Sequence, residues 1–167
     1  MCKFISTTGY VSGVVGRITE LHANYYAEHW KFGHYFETKV ATELSDFINH
    51  YNCTKDCIWS LSVNGNIEGS ITIDGSTENN HIAHLRWFIL SDILRGAGAG
   101  NYLLQQAISF CKQQQYESVY LWTFQGLDSA RHLYEKYGFQ LTEERAGAQW
   151  GSNVIEQRFD MVFQDSG

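Results

Sequence analysis

The order of strand-like and helix-like stretches predicts a mixed α/β fold, and three observations carry that prediction. Two alternating apolar segments, Ile58 to Val63 and Ile67 to Ile73, flank Asn64, Gly65 and Asn66, a turn that makes them an antiparallel β-hairpin. A long apolar run from His81 to Leu90 precedes a helical stripe and a second apolar run, Ser118 to Phe124; strand, crossover helix and strand imply a parallel pair. Where the first run meets its helix the chain reads RGAGAGN, Arg95 to Asn101, a glycine-rich turn placed to hold an anion at a helix start.

Taken in order, Tyr10 to Val15 is β-prone and punctuated by Gly9, Gly13 and Gly16, which suits an edge strand running into a helix. Ile18, Leu21, His22, Tyr25 and Tyr26 recur at helical spacing, and a second stripe runs through Phe36, Val40, Leu44, Phe47, Ile48 and Tyr51. The stretch Tyr26 to Phe32 between these helices is unusually aromatic and suits inter-helix packing, with some rings free to wall a binding site. His81 to Leu90 is too long and too apolar on both faces for a half-exposed strand, so it belongs in the middle of the sheet. After the glycine turn, Leu103, Leu104, Ala107, Ile108 and Cys111 form one helix face. A last helix carries Ala130, Leu133, Tyr134 and Tyr137 and stops at Gly138, a residue suited to a left-handed cap. Phe139 to Glu143 and Val154 to Phe163 complete the pattern as two strands.

A chain of 167 residues, 44% apolar and 18% charged, is expected to be one domain spanning residues 1–167, with disorder confined to Gln164 to Gly167. The net charge of −6 argues against a nucleic-acid or anionic-membrane surface and favours a neutral or cationic acceptor. The start MCKFISTTGYVSG lacks the features of a signal peptide, and no apolar stretch reaches the length of a membrane span, so a cytoplasmic location is expected. Cys2, Cys53, Cys57 and Cys111 are then expected as free thiols. His50, Cys53 and Cys57 lie close in sequence but supply only three ligands without knuckle spacing, so no metal is expected.

The glycine turn is not a P-loop, because Asn101 and Tyr102 stand where Lys and Ser/Thr are needed. Nor is it a dinucleotide fingerprint, which would need glycine at position 101. What remains is the pattern R-x-x-G-x-G over Arg95 to Gly100, followed by LYEKYGF at Leu133 to Phe139. In order and spacing these resemble the GCN5-related N-acetyltransferase (GNAT) family, well over the second half of the chain and loosely over the first.

The resemblance implies a mostly antiparallel, twisted sheet whose central parallel strands splay apart, with acetyl-CoA as cosubstrate. The backbone of Phe88, Ile89 and Leu90 would then meet the acyl group and the pantetheine arm. The N–H groups of Gly96, Ala97, Gly98, Ala99, Gly100 and Asn101 would hold the pyrophosphate, with the Arg95 guanidinium beside it. Tyr134, at the tyrosine of LYEKYGF, would be the general acid that protonates the leaving thiolate; a phenol of pKa about 10 can donate to a thiolate of pKa about 8.5 without being charged beforehand.

Two departures from the family pattern matter. Leu127 stands where many members carry a pantetheine-binding asparagine, and no carboxylate occupies Arg86, Trp87 or Phe88, where some members hold a base. His84, Glu20, Glu68 or a water relay are the alternatives for that base. A closer resemblance, through GYVSGVVGRITELHANYYAEHW, LRWFIL, YLWT and WGSNVIEQRFDM, is to acetyltransferase domains fused to MarR-type regulators, although this chain has no room for a DNA-binding module. The expected function is acetyl transfer from acetyl-CoA to a primary amine of a small molecule or peptide, by direct attack. The alternative is a non-catalytic acyl-CoA-binding or sensor domain. The acceptor stays open, and a homodimer is compatible with the sequence.

Overall fold

The computed structural model describes residues 3–164; Cys2 and all of the polar tail but Gln164 lie outside the described residues. Seven strands form one sheet in the order β1-β2-β3-β4-β5-β7-β6. They are β1 (Ile5–Thr8), β2 (Cys57–Val63), β3 (Asn66–Asp74), β4 (Ile82–Leu90), β5 (Ser118–Phe124), β6 (Gln140–Gly147) and β7 (Val154–Val162). The helices are α1 (Val14–Trp30), α2 (His34–Asn49), α3 (Ala99–Gln113) and α4 (Asp128–Lys136). All neighbouring strands are antiparallel except β4 and β5, which are parallel, as the crossover through α3 requires.

The hairpin forms where the Asn-Gly signal places it: Asn64 and Gly65 both adopt positive φ, and Val63 pairs with Asn66. The N-terminal expectation needs correction. Tyr10 to Val15 is not a strand; the edge strand lies earlier, at Ile5–Thr8, and Val14 and Val15 already belong to α1. Gly9 (φ 85°) breaks the extended backbone just before this segment and Gly13 (φ 88°) breaks it within, at the N-cap of α1, and Val14 is driven into the helix because its side chain is fully buried. Strand β6 also runs to Gly147, longer than its apolar residues suggest, because its pairing with β7 continues along an exposed edge.

Helices α3 and α4 cover one face of the sheet. Leu103, Leu104, Ala107, Cys111 and Tyr134 pack there with Leu61, Ile71, Ile73, Leu85, Val119 and Leu121. On the other face Val14, Ile18, Leu44 and Phe47 pack on Ile58, while Phe32, Phe36 and Val40 pack on Phe124. Ile18 and Leu44 have no exposed surface, and each such side chain contributes about 2 kcal/mol of burial. Among the described residues no helix is long and apolar enough to cross a membrane.

Candidate active site

The site begins with a fault in β4. Its parallel ladder with β5 has only the pairs Ile82–Ser118, Ala83–Val119 and His84–Tyr120, after which β5 continues on β7 and β4 has no partner on that side. On its other side, Thr72 pairs with Arg86 and Ser70 with Ile89, so Trp87 and Phe88 together oppose Ile71 in a bulge. Trp87 carries the turn with φ 50°, a left-handed conformation that a bulky residue adopts only under constraint, and Ser70 Oγ donates to its carbonyl at 3.0 Å. The backbone from Leu85 to Leu90 therefore faces a cleft with its polar groups unspent by the β5 ladder.

That cleft is a cavity of about 1130 Å³ lined by β4, the glycine turn, β5, the first turns of α3 and α4, and the inner faces of α1 and α2. Phe88, Ile89, Leu90, Arg95, Gly96, Gly98, Ala99, Gly100, Asn101 and Tyr134 all line it. Ala97 does not, and its N–H is taken by the Leu94 carbonyl at 3.2 Å, so this member of the expected cradle donates within the protein. Gly96 (φ 76°) and Gly98 (φ 75°) hold left-handed conformations, with open space where a Cβ would stand. Gly100 serves a different end: a Cβ there would sit 3.2 Å from Leu133 Cδ2, so its bareness lets α3 approach α4. The N–H groups at the start of α3 have no intrahelical acceptor, and the helix dipole points at the same place. Bare glycines, unspent amides and a positive helix end fit a pyrophosphate.

Arg95 stands at the rim, its Nε 2.9 Å from Asp92 Oδ1. Asn101 Oδ1 accepts from Lys136 Nζ and from Tyr137 Oη, each at 2.9 Å, so its side chain ties α3 to α4. Leu127 occupies the N-cap of α4 and packs with the cluster around Phe32, Phe36 and Phe124. Tyr134 is 6% exposed, with its ring 6.1 Å from Phe88 and 5.8 Å from Phe139. Its hydroxyl forms no hydrogen bond with any described residue, and burial pushes the phenol above its ordinary pKa, so it remains protonated.

The residues considered as a base separate clearly. Glu20 pairs with Arg17 on the exposed side of α1, and Glu68 is buried against the same arginine at 3.1 Å; neither lines the cavity. His84 does line it, stacked on Tyr120 at 4.4 Å, and burial followed by the Arg86 charge drives its pKa down to about 3. Arg86 binds Glu43 and Asp74 and lies 4.1 Å over the Trp87 ring, and Lys39 also binds Glu43. This ion group leaves no signal in the sequence, because its members come from α2, β3 and β4. His22, one position of the apolar stripe that marks α1, reaches the cavity from that helix.

The outer wall is aromatic. Tyr26, Trp30 and Phe32 gather with Phe36, Phe124 and Trp150, so the Tyr26 to Phe32 stretch both packs the helices and lines the cavity. Two rings rest on glycines: Trp30 covers Gly126 so closely that a Cβ there would collide, and a Cβ on Gly151 would lie 2.6 Å from Tyr35. Of the cysteines, Cys53, Cys57 and Cys111 are free thiols, and no group of three or more metal-ligating side chains occurs among the described residues.

A seven-stranded mixed sheet that parts beyond its one parallel strand pair, with a helix N-terminus at the open end, is the architecture of a GNAT-type acetyltransferase fold. The chain belongs to the Acetyltransferase (GNAT) family, whose model matches residues 17–139. It is similar to the "Probable N-acetyltransferase camello" of Xenopus tropicalis, 24% identical over 82% of this chain and 63% of that protein. It is also similar to the N-acetylaspartate synthetase of Homo sapiens, 28% identical over 64% of this chain and 35% of that protein. The chain thus spans less than two thirds of the length of either relative. Among solved structures, a GNAT-family acetyltransferase from Staphylococcus aureus Mu50 superposes with a TM-score of 0.76 at 18% identity, covering 97% of this chain and all of that one. The Salmonella typhimurium protein yncA, solved with its cofactor acetyl-CoA, superposes with a TM-score of 0.74 at 12% identity over 98% of this chain and 96% of its own.

Proposed function

We propose that the protein transfers an acetyl group from acetyl-CoA to a primary amine, without a covalent enzyme intermediate. The observation that carries this reading is the convergence on one cavity of the unpaired edge of β4, the bare start of α3 and the unbonded hydroxyl of Tyr134. Acetyl-CoA supplies a thioester. The amides of Gly96, Gly98, Ala99, Gly100 and Asn101 would hold its pyrophosphate, and the free backbone around Phe88 to Leu90 would grip the pantetheine and orient the carbonyl. Tyr134 would hold a proton for the departing sulfur, and the apolar rings around it exclude competing water.

The acceptor is best read as an amine on an apolar or aromatic carrier. The N-acetylaspartate synthetases are named for an acidic product, but the cations lining this cavity are committed: Lys39 to Glu43, Arg86 to Glu43 and Asp74, and Arg95 to Asp92. The net charge of −6 likewise supports a neutral or cationic acceptor rather than nucleic acid. A panel of primary amines with acetyl-CoA, followed by release of free thiol, tests the reading. Turnover should favour arylalkylamines over dicarboxylic amino acids. Tight acetyl-CoA binding with no turnover across the panel would refute transfer and identify the acyl-CoA-binding alternative.

A further inference from the structure

His22 is only 5% exposed, yet it lines the cavity from α1. Its Nδ1 lies 2.8 Å from the Ile18 carbonyl, which can only accept, so the proton sits on Nδ1. That back-bond along the helix fixes the tautomer and leaves the lone pair of Nε2 bare, with no donor for it among the described residues. The ring is held by Tyr26, parallel to within 12° at 6.3 Å, and by Phe36 at 6.5 Å. A histidine kept only for packing would be expected to satisfy both nitrogens when buried. The other titratable and charged groups facing this cavity are differently engaged. Lys39 and Glu43 of α2 pair with each other, Arg86 of β4 is held by two carboxylates, and His84 is stacked on Tyr120. On α1, Tyr25 packs on His29 and Tyr26 stacks on Phe32; Arg95 pairs with Asp92, Asp128 in the first turn of α4 is exposed, and Tyr134 is the proton donor of the proposed transfer.

Resting on the transfer reading above, we propose that Nε2 of His22 accepts the proton that the attacking amine gives up. The amine enters as the free base and its lone pair forms the N–C bond at the thioester carbonyl. As the C–S bond breaks, its electron pair leaves with sulfur, which takes the proton of Tyr134. The nitrogen becomes strongly acidic as the amide forms, and its proton passes to Nε2; solvent then returns one proton from the imidazolium to the phenolate. Burial lowers the His22 pKa to about 4, so the lone pair is available throughout the neutral range, and a base this weak suffices because the nascent amide nitrogen is a far stronger acid.

The test uses the full chain, acetyl-CoA and phenethylamine. His22→Gln retains a polar side chain but no ring base, and should lower kcat by roughly 10²-fold or more while acetyl-CoA affinity stays within a few-fold. His22→Ala should show a similar loss and recover at least about tenfold when free imidazole is added, with the parent chain unaffected. Turnover of His22→Gln within about threefold of the parent overturns the proposal, as does a loss in His22→Ala that imidazole leaves unchanged. A parent chain that binds acetyl-CoA but acetylates no amine would instead fail the transfer reading. In that case, or if either variant unfolds, NMR of the imidazole nitrogens in the parent chain decides: phenethylamine should shift the Nε2 resonance of His22, and an unmoved resonance overturns the proposal.

Discussion

Replacing Tyr134 by Phe removes one oxygen and little else, since the ring's contacts with Phe88, Phe139 and Phe159 remain. A buried hydroxyl that satisfies a hydrogen bond stabilises a fold by about 1 kcal/mol, and its loss would lower the melting temperature of a domain this size by roughly 2–4 °C. Tyr134 has no such partner among the described residues, so the fold gains nothing from its hydroxyl, and removing a desolvated polar atom should leave the melting temperature unchanged or slightly raised. If the hydroxyl is the proton donor, kcat should fall by roughly 10²-fold or more, with acetyl-CoA affinity within a few-fold of the parent. Stability and rate thus move independently, which a packing role does not allow. Steady-state kinetics and a melting curve on one preparation make the comparison. Unchanged turnover with a melting temperature several degrees lower would refute the assignment and the reading of the hydroxyl as unpartnered.

Two further outcomes follow from the geometry. Gly98→Val has room for its side chain but must hold φ near 75°, which a β-branched residue resists; acetyl-CoA affinity measured by calorimetry should fall at least about tenfold, and an unchanged value would remove Gly98 from the cradle. His22 is neutral in the folded chain down to about pH 4, whereas in the unfolded chain it takes a proton below about pH 6.5. The unfolded state therefore binds more protons in that window, and stability falls as pH drops through it, by up to about 3 kcal/mol. Denaturant titrations at neutral pH and near pH 4.5 should show this loss shrink in His22→Phe; an equal loss in both chains would contradict the pKa.

Elements with local signals were legible in the sequence. Asn64 and Gly65 specify their turn through positive φ, and Gly138 (φ 103°) ends α4 as a left-handed residue can. The glycine turn and Tyr134 were legible as motif positions, and all but Ala97 of the residues named with them do line one cavity. Tyr10 to Val15 misled because β-propensity is a weak preference, while the burial of Val14 against Ile18 and Leu44 is worth more. The ion group of Arg86 and the place of His22 at the cavity were illegible for another reason. Helical spacing marks which face a residue occupies, but not which nitrogen of a ring its own helix consumes.

The bulge at Trp87 has a consequence for how β4 keeps count. A regular strand assigns faces by odd and even positions, and Ala83 and Leu85 set the odd positions toward α3. Beyond the bulge the assignment is inverted: Phe88 and Leu90 join the α3 side, while Trp87 lies against Phe47 of α2. One residue thus acts as a parity bit. Deleting Trp87 would close the bulge into a regular ladder: Phe88 alone would then oppose Ile71, Ser70 would still meet Ile89, and the residues that follow would keep their faces, while the local bend at the edge of the cleft would be lost.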